Sequence, residues 1–155
     1  MTTTFEPINE LYSSLSAGLR QELEKIAETR SVEPGGKLLR LGERPAHIFI
    51  LNSGKVEITV PAEGKLLPLG TDGPGSVLGL RAIIAGEAGS VDVTALEKCA
   101  VTLLPAEEFL DILRRNPEMY MAVVKVLTGD LRRADSFLRQ KATNSGLASS
   151  SRPKS

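Results

Sequence analysis

Apolar and polar residues alternate with two different periods along this chain, helical at both ends and strand-like between them. From Asn9 to Thr29, Leu15, Leu19, Leu23 and Ile26 recur at spacings of four, four and three, which places them on one helix face. Ser16 stands just before Ala17, where a side-chain oxygen can accept from a free N–H of the first turn. Pro34-Gly35-Gly36 then breaks the helical pattern.

The period changes after that break. Lys37 to Leu41 is a short apolar run, Gly42-Glu43-Arg44-Pro45 a turn, and Ile48-Phe49-Ile50-Leu51 a strand-length run. Beyond the tight turn Asn52-Ser53-Gly54, Val56, Ile58 and Val60 alternate with Lys55, Glu57 and Thr59, the mark of a half-buried strand. Ala62-Glu63-Gly64-Lys65 turns into Leu66 and Leu67, and Thr71 to Gly75 is again turn-rich. Ser76 to Ser90 carries Gly79, Gly86 and Gly89 around Ala82, Ile83 and Ile84, which suits a loop with a short helical turn. Val91, Val93 and Ala95 alternate, and so do Cys99, Val101 and Leu103. Short strands separated by glycine turns argue for a compact roll, barrel or sandwich.

Helical spacing returns at Pro105, a residue suited to a helix start, with Glu107 and Glu108 at the positive end of the dipole. Phe109, Ile112 and Leu113 form the apolar stripe, and Asn116-Pro117-Glu118 restarts a helix with an N-cap, a proline and an acid. The last helix is predicted to run to about Lys141. Along it Tyr120, Val124, Leu127, Leu131, Ala134 and Leu138 are spaced four, three, four, three, four, a heptad seam. Its bland reading is packing against the strands. Its functional reading is pairing with a second chain, through Val124, Leu127, Leu131, Ala134 and Leu138. Val123 and Val126 add a second apolar face near the helix start. The layout is a flexible terminus over 1–8, one domain over 9–141 and a disordered polar tail over 142–155.

Composition narrows the function. The 155 residues carry 19 lysines and arginines against 19 aspartates and glutamates, so no net basic field draws the chain to nucleic acid or an anionic membrane. No apolar run approaches the roughly 18 residues that span a bilayer, and the start has no signal-type stretch. One cysteine, Cys99, excludes an internal disulfide and agrees with a cytoplasmic location. With one histidine, His47, and one cysteine, a structural zinc site is not expected. No nucleophile–base pairing is visible, so an enzyme ranks last. Cys99 reads as a buried inert thiol.

The order of elements, with Gly42-Glu43, Ile48-Phe49-Ile50-Leu51 and Ser53-Gly54-Lys55-Val56-Glu57, resembles the cyclic-nucleotide-binding domain of catabolite-activator-type regulators, protein kinase A regulatory subunits and gated channels. Pro74-Gly75-Ser76-Val77-Leu78-Gly79 is similar to the run into that family's phosphate-binding cassette, and Asn116-Pro117 falls where its long helix begins. The likeness covers roughly Leu11 to Leu138. It implies a mainly β fold with flanking helices, an antiparallel β-roll of the jelly-roll type with an N-terminal helix and C-terminal helices. It also implies a ligand site in the cassette, at Leu78, Gly79, Leu80, Arg81, Ala82, Gly89 and Ser90, for a cyclic nucleotide or another small anion. The free N–H groups around Gly79 would meet the phosphate.

The cassette departs from the family at both charged positions. Leu80 stands where the family has the glutamate that binds the ribose hydroxyl. Gly89 stands where it has the arginine that pairs with the phosphate, and Ser90 then matches the hydroxyl position. Removing one partner of a buried charge pair costs roughly 2–5 kcal/mol, on the order of thirty- to several-thousand-fold in affinity. Weak or absent binding of cyclic AMP and cyclic GMP is therefore expected. Arg81 is left with two readings: turned inward to meet an anion, or a solvated charge beside a Leu80 that fills the emptied pocket. Two functions follow. One is a sensor whose ligand shifts the last helix against an effector or a second copy. The other is a ligand-free scaffold whose long helix mediates dimers or docking. The residues beyond Lys141 are too few for a helix-turn-helix domain, so DNA binding by this chain alone is not expected.

Overall fold

A computed structural model describes residues 9–145; the expectations for 1–8 and for 146–155 lie outside the described residues. Asn9 Oδ1 accepts the Tyr12 N–H at 2.8 Å and opens a single 3-10 turn over Tyr12–Ser14. Ser16 caps the helix α1, Ala17–Ile26, its hydroxyl accepting the Leu19 N–H at 3.3 Å. Leu15, Leu19 and Leu23 are buried on the face their spacing defines. The helix is shorter than its sequence suggests, because Ala27 is extended and Glu28 and Thr29 already belong to strand β1, Glu28–Val32.

Seven more strands follow: β2 (Lys37–Leu39), β3 (His47–Ser53), β4 (Val56–Ala62), β5 (Lys65–Asp72), β6 (Val77–Leu78), β7 (Asp92–Ala95) and β8 (Cys99–Pro105). They form two four-stranded sheets, ordered β1-β8-β3-β6 and β2-β7-β4-β5, and the paired strands are antiparallel. This is the β-roll expected. Thr71 and Asp72, read from sequence as turn, complete β5 by pairing with Glu57 and Val56. The β4–β5 register shifts between Ile58 and Thr59, a bulge that lets the edge strand accommodate Pro68 and Gly70.

Period-two alternation divides the apolar residues between two cores. On β3, Ile48 and Ile50 join a helix-side core with Leu11, Leu19, Leu23, Phe109 and Met119. Leu51 joins an inner core between the sheets with Leu38, Val56, Leu78, Val93, Val101 and Leu103, and half-buried Phe49 packs against it. The β3–β4 turn depends on Gly54. Its φ is +100°, and a Cβ there would lie 2.6 Å from Cys99 Sγ and 2.7 Å from the Lys98 carbonyl oxygen. Cys99 is buried, as its alternation implies.

Three helices complete the body: α2 (Leu80–Ala85), α3 (Ala106–Arg115) and α4 (Glu118–Ser145). Pro105 caps α3, whose Phe109, Ile112 and Leu113 are buried. Asn116 lies at the α3–α4 junction, but its side-chain amide donates to the Ile112 carbonyl at 2.8 Å and so closes α3, while its carbonyl receives the Met119 N–H. Helix α4 continues four residues past Lys141, and residues 142–145 are helical rather than tail. Nothing from Ala142 to Ser145 breaks a helix; the next glycine is Gly146.

Candidate functional site

The cassette is built from β6, α2 and the start of β7. Gly79 precedes α2 with φ +90°, and a Cβ on it would approach the His47 carbonyl oxygen and Leu39 Cδ2, both at 3.4 Å. Leu78 is buried in the inner core. Ala82 is buried too. The adjacent Leu80 turns the opposite way: at 1% exposure it sits in the helix-side core, in one cluster with Ile48, Ile50, Ile83 and, from α4, Met119, Ala122, Val123 and Val126. It therefore does not fill the roll interior, contrary to the reading that had it plugging the emptied pocket. Its contribution is to bind the cassette helix to α4.

Arg81 faces outward. Its side chain is 52% exposed, with Nη1 3.6 Å from Glu87 Oε1 and Nη2 donating to Ser90 Oγ at 3.1 Å. The guanidinium thus brackets the α2–β7 loop instead of pointing into the roll. Glu87 was not singled out in the sequence, where nothing but its spacing from Arg81 marks it.

Gly89 is fastened to the β2–β3 turn. Its carbonyl accepts the Gly42 N–H and its N–H donates to the Glu43 carbonyl, each at 2.9 Å. A Cβ there would lie 3.3 Å from the Arg40 carbonyl oxygen and 3.5 Å from that of Glu43. A side chain in this position would crowd those carbonyls, which would have to give by a few tenths of an ångström.

Asp92 reinforces the same clasp. Its Oδ1 accepts the Leu41 N–H at 2.7 Å, and Lys37 Nζ donates to its Oδ2 at 3.3 Å. The Leu41 hydrogen bond holds its carboxyl below the ordinary aspartate value; desolvation opposes this, and Lys37 and Arg40 reinforce it. Asp92 pairs with Thr59, next to the inward pair Val93–Ile58, so this polar group lies on the outer face of its sheet. His47 is half-buried, its ring edge-on to Phe49 with centroids 6.4 Å apart. Burial pushes the Cys99 thiol up, while a backbone hydrogen bond at Lys55 opposes the shift. No group of metal-ligating side chains occurs among the described residues.

Helix α4 presents two faces. Met119, Ala122, Val123 and Val126 are buried against the roll, as Val123 and Val126 suggested. Along its flank Tyr120 is 47%, Val124 49% and Leu131 71% exposed, with Leu127 half-buried. Ala134 and Leu138 lie farther along the same helix, and their side chains are outside the described set.

The model of one family, the cyclic nucleotide-binding domain, matches residues 29–116, the stretch from β1 through the cassette to the end of α3. The chain belongs to that family. Among curated relatives, a cyclic nucleotide-gated potassium channel of Mesorhizobium japonicum is 27% identical over 109 residues, 70% of this chain and 29% of the channel. An uncharacterized NTE family protein of Mycobacterium bovis is 31% identical over 117 residues, 74% of this chain and 20% of that protein. The chain thus spans under a third of either relative. Among solved structures, the catabolite activator protein of Thermus thermophilus superimposes with a TM-score of 0.72 at 22% identity, over 86% of this chain and 63% of that one. The regulatory subunit of a cAMP-independent protein kinase A from Trypanosoma brucei gives 0.69 at 20% identity, over 84% and 46%. Both likenesses establish the fold. No helix among the described residues is long and apolar enough to cross a membrane.

Proposed function

We propose that this domain is a non-catalytic, cytoplasmic regulatory module that does not take cyclic AMP or cyclic GMP as its signal and delivers its output through α4. The observation that carries this reading is the fate of the two charged family positions. Leu80 is committed to the core beneath α4, and Gly89 is bonded through its backbone to the β2–β3 turn. The one arginine inside the cassette is occupied by Glu87 and Ser90. A cyclic nucleotide would find neither the carboxylate for its ribose hydroxyl nor the guanidinium for its phosphate that the family supplies.

The output surface is the stripe of exposed Tyr120, Val124 and Leu131 with half-buried Leu127, which we assign to pairing with a second copy of the chain. A parallel pair of α4 helices would cover it, and an effector protein would read the pair. The scaffold reading differs only in lacking any ligand.

Calorimetric titration of the full chain with cyclic AMP and cyclic GMP tests the ligand half, with no saturable heat expected. Sedimentation equilibrium of the wild type and of Leu131→Asp tests the pairing half. A dimer that dissociates in the variant is expected, and equal masses for the two would refute the assignment.

A further inference from the structure

We propose that strand β1 is a further contact surface, an open sheet edge that pairs antiparallel with β1 of a second copy of this chain. It is separate from the α4 stripe. The edge strands are β1 and β6 in one sheet, β2 and β5 in the other. An edge strand presents a row of backbone N–H and C=O groups with no strand beside them. Three of these edges are poorly built to take another strand. Strand β6 has two residues, and β2 has three with a register shift inside them. Strand β5 bulges at Leu69, between Pro68 and Gly70, and Pro68 has no N–H to donate. Strand β1 differs from all three. Glu28 to Val32 pairs with Leu103 to Cys99 without a shift, and the strand holds neither proline nor glycine. Glu28, Thr29, Arg30 and Ser31 are exposed.

The order of charges names the occupant. Glu28 and Arg30 stand two apart and so lie on one face of the strand, that of their β8 partners Leu103 and Val101. Within the chain they touch only loosely, Arg30 Nη2 lying 3.9 Å from Glu28 Oε1, and both remain mostly exposed. Charges on an edge ordinarily repel a second strand. Here a two-fold axis through Thr29 sets Glu28 opposite the second copy's Arg30, and Arg30 opposite its Glu28. Both cross-strand pairs are then of opposite sign, the stabilising arrangement in a sheet. Parallel, in-register pairing would instead set like against like. Ala27 is already extended, with φ −80° and ψ 145°, so it can join the ladder opposite Ser31. Two copies of the β1-β8-β3-β6 sheet would thereby continue as one. A strip one strand long falls short of the roughly 1,000 Å² that a stable interface buries, so the pairing is weak and needs concentrated protein.

Sedimentation equilibrium of the full chain carrying Leu131→Asp, which removes the α4 contact, isolates this one. A monomer–dimer equilibrium is expected at high protein concentration. Arg30→Glu, which turns both cross-strand pairs into like charges, should weaken it about tenfold or more. The exchange Glu28→Arg with Arg30→Glu should restore it. Circular dichroism checks that each variant keeps the fold. A cysteine on the axis reads the geometry directly, since Cys99 is buried and does not compete. Thr29→Cys should form an intermolecular disulfide under mild oxidation, whereas Ser31→Cys, set opposite Ala27, should not. Failure of the charge exchange to restore association, or equal cross-linking of the two cysteine variants, would overturn the pairing. So would a Leu131→Asp chain that stays monomeric at every concentration and yields no cross-link through Thr29→Cys, and that result would leave the α4 assignment standing.

Discussion

Restoring the family's glutamate at position 80 should damage this protein rather than repair it. Leu80 is all but fully buried in the helix-side core with Ile48, Ile50, Ile83, Met119 and Val123. Truncating a leucine in such a core costs about 2.7–5 kcal/mol, from lost transfer energy and the cavity left behind. Glutamate loses the same contacts and adds a carboxyl group that no polar side chain of this cluster can meet. An unsatisfied buried polar group costs about 1–3 kcal/mol more even when neutral. For a chain of this length each kcal/mol lowers Tm by about 2–4 °C, so Leu80→Glu should melt at least about 7 °C below wild type, and below Leu80→Ala. The pH dependence gives a second signature. Burial raises the introduced carboxyl's folded pKa above its unfolded value, so the variant is least handicapped below the unfolded value, about 4.3, and loses stability as pH rises through and beyond it. Leu80→Gln should lack that slope. Thermal and urea unfolding followed by circular dichroism measure all four proteins. A Leu80→Glu variant that melts within a degree or two of wild type, with no pH slope of its own, would mean that the side chain reaches water or the ligand seat, and the assignment of Leu80 to the helix-side core would be wrong.

Other positions give separate checks. Gly54→Ala combines a positive φ with a collision against the Lys98 carbonyl and Cys99, and the backbone strain alone costs on the order of 1–3 kcal/mol; a fall of at least about 5 °C in Tm is expected by calorimetry. Asp92 has its pKa lowered by the Leu41 N–H and then by Lys37. The stability it supplies is therefore present above its unfolded value and lost as pH falls through the lower folded one. Asp92→Asn should narrow its deficit against wild type as acid is added, read from urea midpoints at successive pH values. Leu131→Asp should leave Tm at low protein concentration nearly unchanged while abolishing the proposed pairing of α4 helices, since Leu131 is exposed in the single chain.

Much of the fold was legible because its strands carry alternation and its turns carry glycine. Val101 and Leu103 announce β8, and Leu19 and Leu23 announce α1, since in each the buried face is written at the right period. Strand β1 was hidden for the opposite reason. Glu28-Thr29-Arg30-Ser31 is exposed throughout, with no apolar alternation, and its conformation comes from pairing with Leu103 to Ala100. Two residues of turn-like composition, Thr71 and Asp72, were likewise drawn into β5 by their partners on β4.

At the cassette, identity was readable and direction was not. The sequence shows leucine at position 80 and glycine at position 89, where the family resemblance leads one to expect charged residues. It does not show that α2 turns Leu80 toward α4, nor that Glu87 and Ser90 draw Arg81 out to the surface, because those outcomes depend on how a six-residue helix is rotated between two cores. The Asp92–Leu41 bond spans 51 positions and leaves no local signature.

The most direct measurement is the melting temperature of the full wild-type chain with and without saturating cyclic AMP. A ligand held at a hundredfold over its Kd stabilises the folded state by about 2.7 kcal/mol, a rise of roughly 5–10 °C for a chain of this size. The expected result is an unchanged melting temperature up to millimolar nucleotide. A concentration-dependent rise that saturates at micromolar cyclic AMP would contradict the account, because it would require a phosphate seat that Leu80, Arg81 and Gly89, as placed here, do not provide.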